Sequence, residues 1–311
     1  MNKQLAIVFP GQGSQSVGML AELATVYPVV QATFAEASTV LGYDLWALTQ
    51  DGPESDLNQT DRTQPAMLAA GVAVWRAWQQ QGGAQPAFMA GHSLGEYTAL
   101  VCAGSLDFAD GIRLVAERGR SMQEAVPAGI GAMAAILGLD DDQVRQACSN
   151  AEEGEVVSAV NFNSPGQVVI AGHKAAVDRA CEQAKAMGAK RALPLAVSVP
   201  SHSSLMRPAA EAFADTLAAT TFKAPQIPVI HNADISAHSD ADAIRAALTQ
   251  QLYSPVRWVE TIQYLAAQGI THMLEAGPGK VLIGLNKRID KNIVSVAAFD
   301  SASLAEALTA L

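Results

Sequence analysis

Among the 311 residues of this chain, the segment whose types and spacing point most directly to chemistry is Gly91-His92-Ser93-Leu94-Gly95. A sharp strand-to-helix turn needs a glycine two residues before and two after its serine, because the backbones meet there too closely for a Cβ. Such a turn lifts the serine hydroxyl out of a sheet and sets it at a helix N-terminus. There the backbone N–H of Leu94 faces a developing oxyanion. The chemistry is nucleophilic attack by Ser93 on a carbonyl carbon. The bland alternative is an ordinary tight turn, and the flanks weigh against it: Ala87–Ala90 reads as a short strand, and Leu94–Cys102 as an apolar helix in which Ala99 and Ala103 permit close packing.

Serine at its free pKa is a weak nucleophile and needs a base within hydrogen-bond reach. The chain offers six histidines. His92 adjoins the serine and on a sharp turn points elsewhere, as a packing residue. His173 starts a helix and His272 sits in a strand, each structural or solvated. His202, in Val199-Pro200-Ser201-His202-Ser203, lies in a loop after a strand, where functional residues collect. It is the first candidate, against the alternative of a surface histidine, and His231 at the end of the strand Pro228–Ile230 is the reserve. Between Ser93 and His202 no acidic residue stands at a strand end to orient an imidazole.

A third chemical group emerges from helical periodicity in Ile112–Glu124. Arg113, Glu117, Arg120 and Glu124 form a solvated stripe of paired charges. Arg118 instead shares the apolar face with Leu114, Val115 and Met122. An inward arginine must find an anion, since burial of an unpaired charge is expensive. A structural ion pair or a snorkelling side chain would satisfy that demand as well as a ligand would.

The elements that position these groups belong to an α/β protein. Leu5–Phe9 is a continuous apolar run closed by Pro10-Gly11, as in a strand buried on both faces of a parallel sheet, and helical patterns follow to about residue 81. Between 128 and 198 the rhythm becomes strand (Met133–Leu137), helix (Asp140–Ala151), two strands joined by Asn163-Ser164-Pro165-Gly166, helix (Lys174–Met187) and strand (Arg191–Val197). That β-α-β-β-α-β order is the ferredoxin-like unit, inserted into the larger one. The α/β alternation then resumes with Pro228–Ile230, a helix over Asp242–Leu252, and Met273–Glu275 as the last strand. The expected division is a large domain of residues 1–127 and 199–311 and a small domain of residues 128–198.

Composition narrows the function classes. Half the residues are apolar and 16% charged, as in globular proteins, and no apolar stretch approaches the 18 or so residues of a membrane span. The first residues are too short and uncleavable for a signal peptide, so the expected compartment is the cytoplasm. Cys102, Cys148 and Cys181 are odd in number and widely spaced, which indicates reduced thiols rather than disulfides or a zinc site. A net charge of −10 argues against nonspecific binding of nucleic acid or anionic lipid. Gly11-Gln12-Gly13-Ser14-Gln15-Ser16 has serine where a dinucleotide loop needs its third glycine, and Gly277-Pro278-Gly279-Lys280 lacks Walker A spacing and reads as a turn after the last strand. Asn161 and Asn163 are most simply turn residues.

Residues 91–105, together with Phe9-Pro10-Gly11-Gln12-Gly13-Ser14-Gln15, Asn161-Phe162-Asn163-Ser164-Pro165-Gly166-Gln167 and Glu275-Ala276-Gly277-Pro278-Gly279-Lys280, closely resemble the malonyl-CoA:acyl-carrier-protein transacylases of bacterial fatty-acid synthesis. Four motifs in order, across essentially the whole chain, are far more specific than the elbow alone. The resemblance implies an α/β-hydrolase-like large domain with a parallel sheet, carrying a ferredoxin-like insertion. It also implies an acyltransferase that moves malonyl from malonyl-CoA to the phosphopantetheine thiol of acyl carrier protein, by a ping-pong route through malonyl-serine, with no cofactor and no metal. By the same resemblance His202 is the base and the backbone carbonyl of Gln251 its orienter. The N–H groups of Gln12 and Leu94 form the oxyanion hole, and Arg118 clamps the malonyl carboxylate. The hairpin bearing Asn161 and Asn163 comes to the mouth of the substrate site.

Carrier proteins are acidic, so a docking patch of Lys190, Arg191, Lys287 and Arg288 is expected despite the net charge. Two rivals share the scaffold: a serine esterase or thioesterase, against which the missing triad acid and inward Arg118 weigh, and a noncatalytic carrier-binding module. Val199, Pro200 and Ser201, beside the histidine, do not match the Tyr-Ala-Ser or His-Ala-Phe patterns of polyketide-type domains.

Overall fold

A computed structural model describes residues 2–127, 129–197 and 199–311. Its nine described strands are β1 (Asn2–Phe9), β2 (Pro86–Gly91), β3 (Gly131–Leu137), β4 (Val157–Ser164), β5 (Gln167–His173), β6 (Arg191–Pro194), β7 (Val229–Ile230), β8 (His272–Ala276) and β9 (Val294–Ala298). They make two sheets. The larger has the order β7-β2-β1-β8-β9 with every pairing parallel, and the smaller has the order β4-β5-β3-β6 with every pairing antiparallel.

Hydrophobic patterning explains the larger sheet. Leu5, Ile7 and Phe9 of β1 enter the main core, while Ala6 and Val8 face a second core with Trp258, Ile262 and Leu265. All five residues are 0% exposed, and each large side chain contributes about 1.5–3 kcal/mol by leaving water. A strand with cores on both faces must be apolar at every position, which is why Leu5–Phe9 does not alternate.

The smaller sheet carries the helices Asp141–Ala151 and Lys174–Ala186, and its order is that of the ferredoxin-like unit. All its strands fall between Gly131 and Pro194. Ala128 and Ser198, where the expected domain boundaries fall, lie outside the described residues. The smaller sheet is tied to the segment that leads into the helix Trp258–Ala267: Phe162 N–H donates to the Val256 carbonyl at 3.0 Å, and Val256 N–H to the Val160 carbonyl at 2.8 Å.

Several boundaries differ from expectation. β6 stops at Pro194 rather than Val197, although the Leu195 N–H still donates to the Met133 carbonyl at 2.9 Å; as an edge strand it tolerates the proline. β8 is not the last strand. β9 follows at the sheet edge, its apolar run broken by Ser295, and the helix Val281–Ile289 connects the two. The helices Arg207–Ala219, Trp258–Ala267 and Ser301–Ala310 complete the C-terminal third. None of the described helices is long and apolar enough to cross a membrane.

Candidate active site

β2 ends at Gly91, and Ser93 sits before the helix Leu94–Cys102 with φ 52° and ψ −108°. A Cβ on Gly91 would lie 1.8 Å from the carbonyl carbon of Gly95, and one on Gly95 would lie 2.1 Å from the Phe9 carbonyl oxygen. Both positions therefore require glycine. A non-glycine residue in this backbone region carries about 1–3 kcal/mol of strain and needs neighbours to hold it. Asn232 does so: its Oδ1 accepts the Ser93 N–H at 2.8 Å, and its Nδ2 donates to the Gly91 carbonyl at 2.8 Å.

His202 reaches this serine from a loop, with φ 66° and 3% exposure. Its Nε2 is 2.8 Å from Ser93 Oγ, and its Nδ1 is 2.8 Å from the Gln251 backbone carbonyl. A carbonyl only accepts, so the proton resides on Nδ1 and the bare Nε2 accepts from the serine hydroxyl. Burial, and after it the positive charge of Arg118, pushes the imidazole down from its ordinary value to about 3. At neutral pH it is an unprotonated base, oriented by a dipole instead of a carboxylate.

Arg118 does face inward, at 1% exposure. Gly119 allows this, since a Cβ there would come 2.7 Å from the backbone of Thr60 and Asp61; the helices Phe108–Ala125 and Thr60–Gln80 touch backbone to backbone at that point. Of the alternatives open to an inward Arg118, a structural ion pair is not among its hydrogen bonds. Nη1 donates to Gln64 Oε1 at 2.9 Å, and Nη2 to Gln251 Oε1 at 2.9 Å and Ser93 Oγ at 3.2 Å. Its Nε has no acceptor among the described residues, and Tyr97 presents a ring face 5.3 Å away. The charge is solvated by neutral oxygens and a π-face, which leaves it without a carboxylate among its hydrogen bonds. The stripe behind it is solvated as expected, but Arg113 pairs with Asp110 and Arg120 with Glu117, each three residues apart.

The other expected residues are distributed around this centre. Among the described residues the N–H groups of Leu94 and Gln12 have no protein acceptor. The Gln12 loop packs on the elbow, a Cβ on Gly11 being 2.4 Å from the His92 carbonyl. No helix begins until Ala21, so this loop lacks the helix N-terminus of a dinucleotide site. Asn161 and Asn163 are not turn residues. Both lie in β4, ahead of the turn at Pro165-Gly166, and Asn163 Oδ1 receives His92 Nε2–H at 2.8 Å. Asn161 Oδ1 is buried without a partner. His92 bonds Asn163 instead of Ser93 and packs against Trp258; desolvation pushes its pKa below the ordinary value. His231 has Glu96 as its partner instead of Ser93, its Nδ1 meeting Glu96 Oε1 at 2.7 Å. His173 Nδ1 accepts the Val156 N–H at 2.9 Å, and His272 pairs with the Thr271 hydroxyl.

Lys190, Arg191, Lys287 and Arg288 are all exposed. They converge on one end of the smaller sheet. Lys190 N–H bonds the Leu137 carbonyl, Leu137 is in register with both Arg191 and Gln167, and Arg288 donates to Gln167 Oε1 at 2.8 Å.

Three residues of the site escape sequence reasoning. Gln64 and Asn232 are neutral amides without catalytic spacing. Glu96, 0% exposed, is the third residue of an otherwise apolar helix, and its isolation there is the one available signal.

A serine of positive φ at the end of a parallel strand, within hydrogen-bond distance of a buried neutral histidine, defines an α/β protein whose site pairs a serine hydroxyl with an imidazole. A family model for the acyl transferase domain matches residues 6–302. The malonyl CoA-acyl carrier protein transacylase of Salmonella typhimurium is 63% identical over 98% of this chain and 99% of its own length. An acyl carrier protein S-malonyltransferase from Vibrio cholerae has a TM-score of 0.95 at 64% identity, covering 98% of this chain and 99% of that one. A malonyl-transacylase solved in complex with a type II PKS acyl-carrier protein has a TM-score of 0.98 at 60% identity, covering 99% of this chain and 100% of that one. The chain belongs to this family of acyl transferases, the malonyl CoA-acyl carrier protein transacylases.

Proposed function

We propose that this protein transfers malonyl from malonyl-CoA to the phosphopantetheine thiol of acyl carrier protein through a malonyl-Ser93 intermediate. The observation that carries this reading is Arg118: a buried guanidinium 3.2 Å from the nucleophile, with no carboxylate partner among its hydrogen bonds. A thioester acyl group bearing a free carboxylate supplies the missing anion at the right distance from the reacting carbonyl. An uncharged acyl group leaves the charge unanswered, which weighs against an esterase of simple uncharged esters.

His202 Nε2 takes the Ser93 proton as Oγ attacks the thioester carbonyl, and the N–H groups of Leu94 and Gln12 hold the oxyanion. The imidazolium returns that proton to the departing thiolate of coenzyme A. The carrier thiol then gives its proton to His202, attacks malonyl-Ser93 and leaves with the acyl group, and the proton returns to Ser93. These steps use protein groups alone. The tautomer fixed by Gln251 suits both half-reactions. In this reading Asn161 and Asn163 border the thioester arm, and Lys190, Arg191, Lys287 and Arg288 meet the acidic carrier. Residues 1–127 with 199–311 form the catalytic unit and 128–198 the inserted unit.

Mass spectrometry after brief mixing with malonyl-CoA tests the reading. Malonyl retained on Ser93, and absent from Ser93→Ala, is the expected result. Rapid release as free malonate would establish an esterase, and no label at all a noncatalytic module.

A further inference from the structure

Gln251 faces three ways at once. Its backbone carbonyl accepts His202 Nδ1–H, its side-chain Oε1 accepts Arg118 Nη2, and its Nε2 donates to Glu96 Oε2 at 2.8 Å and to the Ser93 carbonyl at 3.1 Å. The guanidinium only donates and the carboxylate only accepts. An amide between the two has one orientation: turned about its terminal bond, it would oppose NH₂ to guanidinium and oxygen to carboxylate. Glu96 is itself immobilised. Its Oε1 receives His231 Nδ1–H at 2.7 Å, and its Oε2 also receives the Asn232 N–H at 2.8 Å. The same Asn232 staples the elbow across Gly91 and Ser93.

We propose that Glu96 is a positioning residue for acyl selection: its carboxylate sets the orientation of the Gln251 amide, and through it the guanidinium of Arg118, against an elbow that it braces through Asn232. The inference rests on the reading above in which Arg118 receives the malonyl carboxylate. It assigns part of the preference for a charged acyl group to a residue that touches neither substrate nor reacting atoms. What matters is hydrogen-bond reach rather than charge. A glutamine at 96 keeps the reach, because its Oε1 can accept from Asn232 and Gln251 while its NH₂ donates to the other tautomer of His231. An aspartate keeps the charge but, one methylene shorter, cannot serve His231, Asn232 and Gln251 together.

The test compares kcat/KM for malonyl-CoA and acetyl-CoA in the full chain, with acyl carrier protein as acceptor. Glu96→Asp is expected to narrow the malonyl-over-acetyl preference at least tenfold, and Glu96→Gln to hold it within about threefold of wild type. An unchanged preference in Glu96→Asp overturns the inference, as does a loss in Glu96→Gln equal to or greater than that in Glu96→Asp. If Glu96→Asp is not folded by circular dichroism, Gln251→Met reads the same link from its other end: it deletes the amide, keeps the backbone carbonyl for His202, and should narrow the preference likewise. Retention of full preference there overturns the inference. A wild-type chain that takes no malonyl onto Ser93 sinks the functional reading and this inference with it. A malonylated wild type with an unchanged Glu96→Asp preference sinks this inference alone.

Discussion

Arg118 Nη2 lies 3.2 Å from Ser93 Oγ, so a buried permanent positive charge stands beside the serine hydroxyl at the elbow. Two consequences follow from that proximity. On the reading proposed above, the charge receives the carboxylate of the acyl group, and it disfavours protonation of His202 beside it.

Arg118→Ala should therefore separate acyl groups. Malonyl transfer is expected to lose about 2–5 kcal/mol in kcat/KM, the usual range for breaking a buried charge pair, while acetyl transfer loses far less. Parallel assays with the two thioesters check this. Equal losses would assign Arg118 a structural role.

The pH profile carries the second consequence. With the His202 imidazole pushed down to about 3, first by burial and then by Arg118, the acid limb of kcat/KM should fall well below the ordinary histidine range. A bound malonyl carboxylate offsets the Arg118 charge and raises the imidazole pKa. In single-turnover acylation at saturation, the acid limb for malonyl-CoA should accordingly lie at higher pH than that for acetyl-CoA. Coincident limbs would show that Arg118 does not reach His202 electrostatically. The linkage to stability has a definite sign. The unfolded chain binds this proton near pH 6.5 and the native chain only near 3, so acidification across that window destabilises the fold, and urea midpoints should drop over it.

Asn232→Ala should weaken the elbow without touching the dyad. It leaves the Ser93 N–H and the Gly91 carbonyl without their partner, at about 1–3 kcal/mol for each buried group left unpaired. Urea unfolding measures the loss, and the initial rate of Ser93 labelling should fall with it. Wild-type stability would mean that the serine holds its left-handed conformation unaided.

Charge reversal at Lys190, Arg191, Lys287 and Arg288 is expected to raise KM for the carrier and leave acylation by malonyl-CoA unchanged. The effect should shrink as salt rises, since exposed charges are screened within about 10 Å at 0.1 M. An unaltered carrier KM would place the docking surface elsewhere.

Legibility in the sequence tracks how local the governing physics is. The elbow is readable from five residues because steric demand within one turn dictates both glycines. The inserted unit is readable because each strand and helix announces its own period. β9 is not, because Ser295 interrupts its apolar run and its edge position places weak demands on composition. Asn161 and Asn163 resemble turn residues because asparagine favours turns; cross-strand pairing with β5 places Asn161 in β4, and Asn163 sits there at an irregularity between the paired Phe162 and Ser164.

The sequence by itself determined the strand-to-helix turn that carries Ser93, the two-sheet architecture and the inward face of Arg118, since close backbone approach and hydrophobic periodicity are properties of neighbouring residues. Only the tertiary structure decided what surrounds them. His202 meets Ser93 across 109 positions, Gln251 meets it across 158, and Glu96 meets His231 across 135. No local rule encodes those encounters. They arise because packing carries distant segments into one water-excluded space, where neutral amides and a single carboxylate settle which way each hydrogen bond runs.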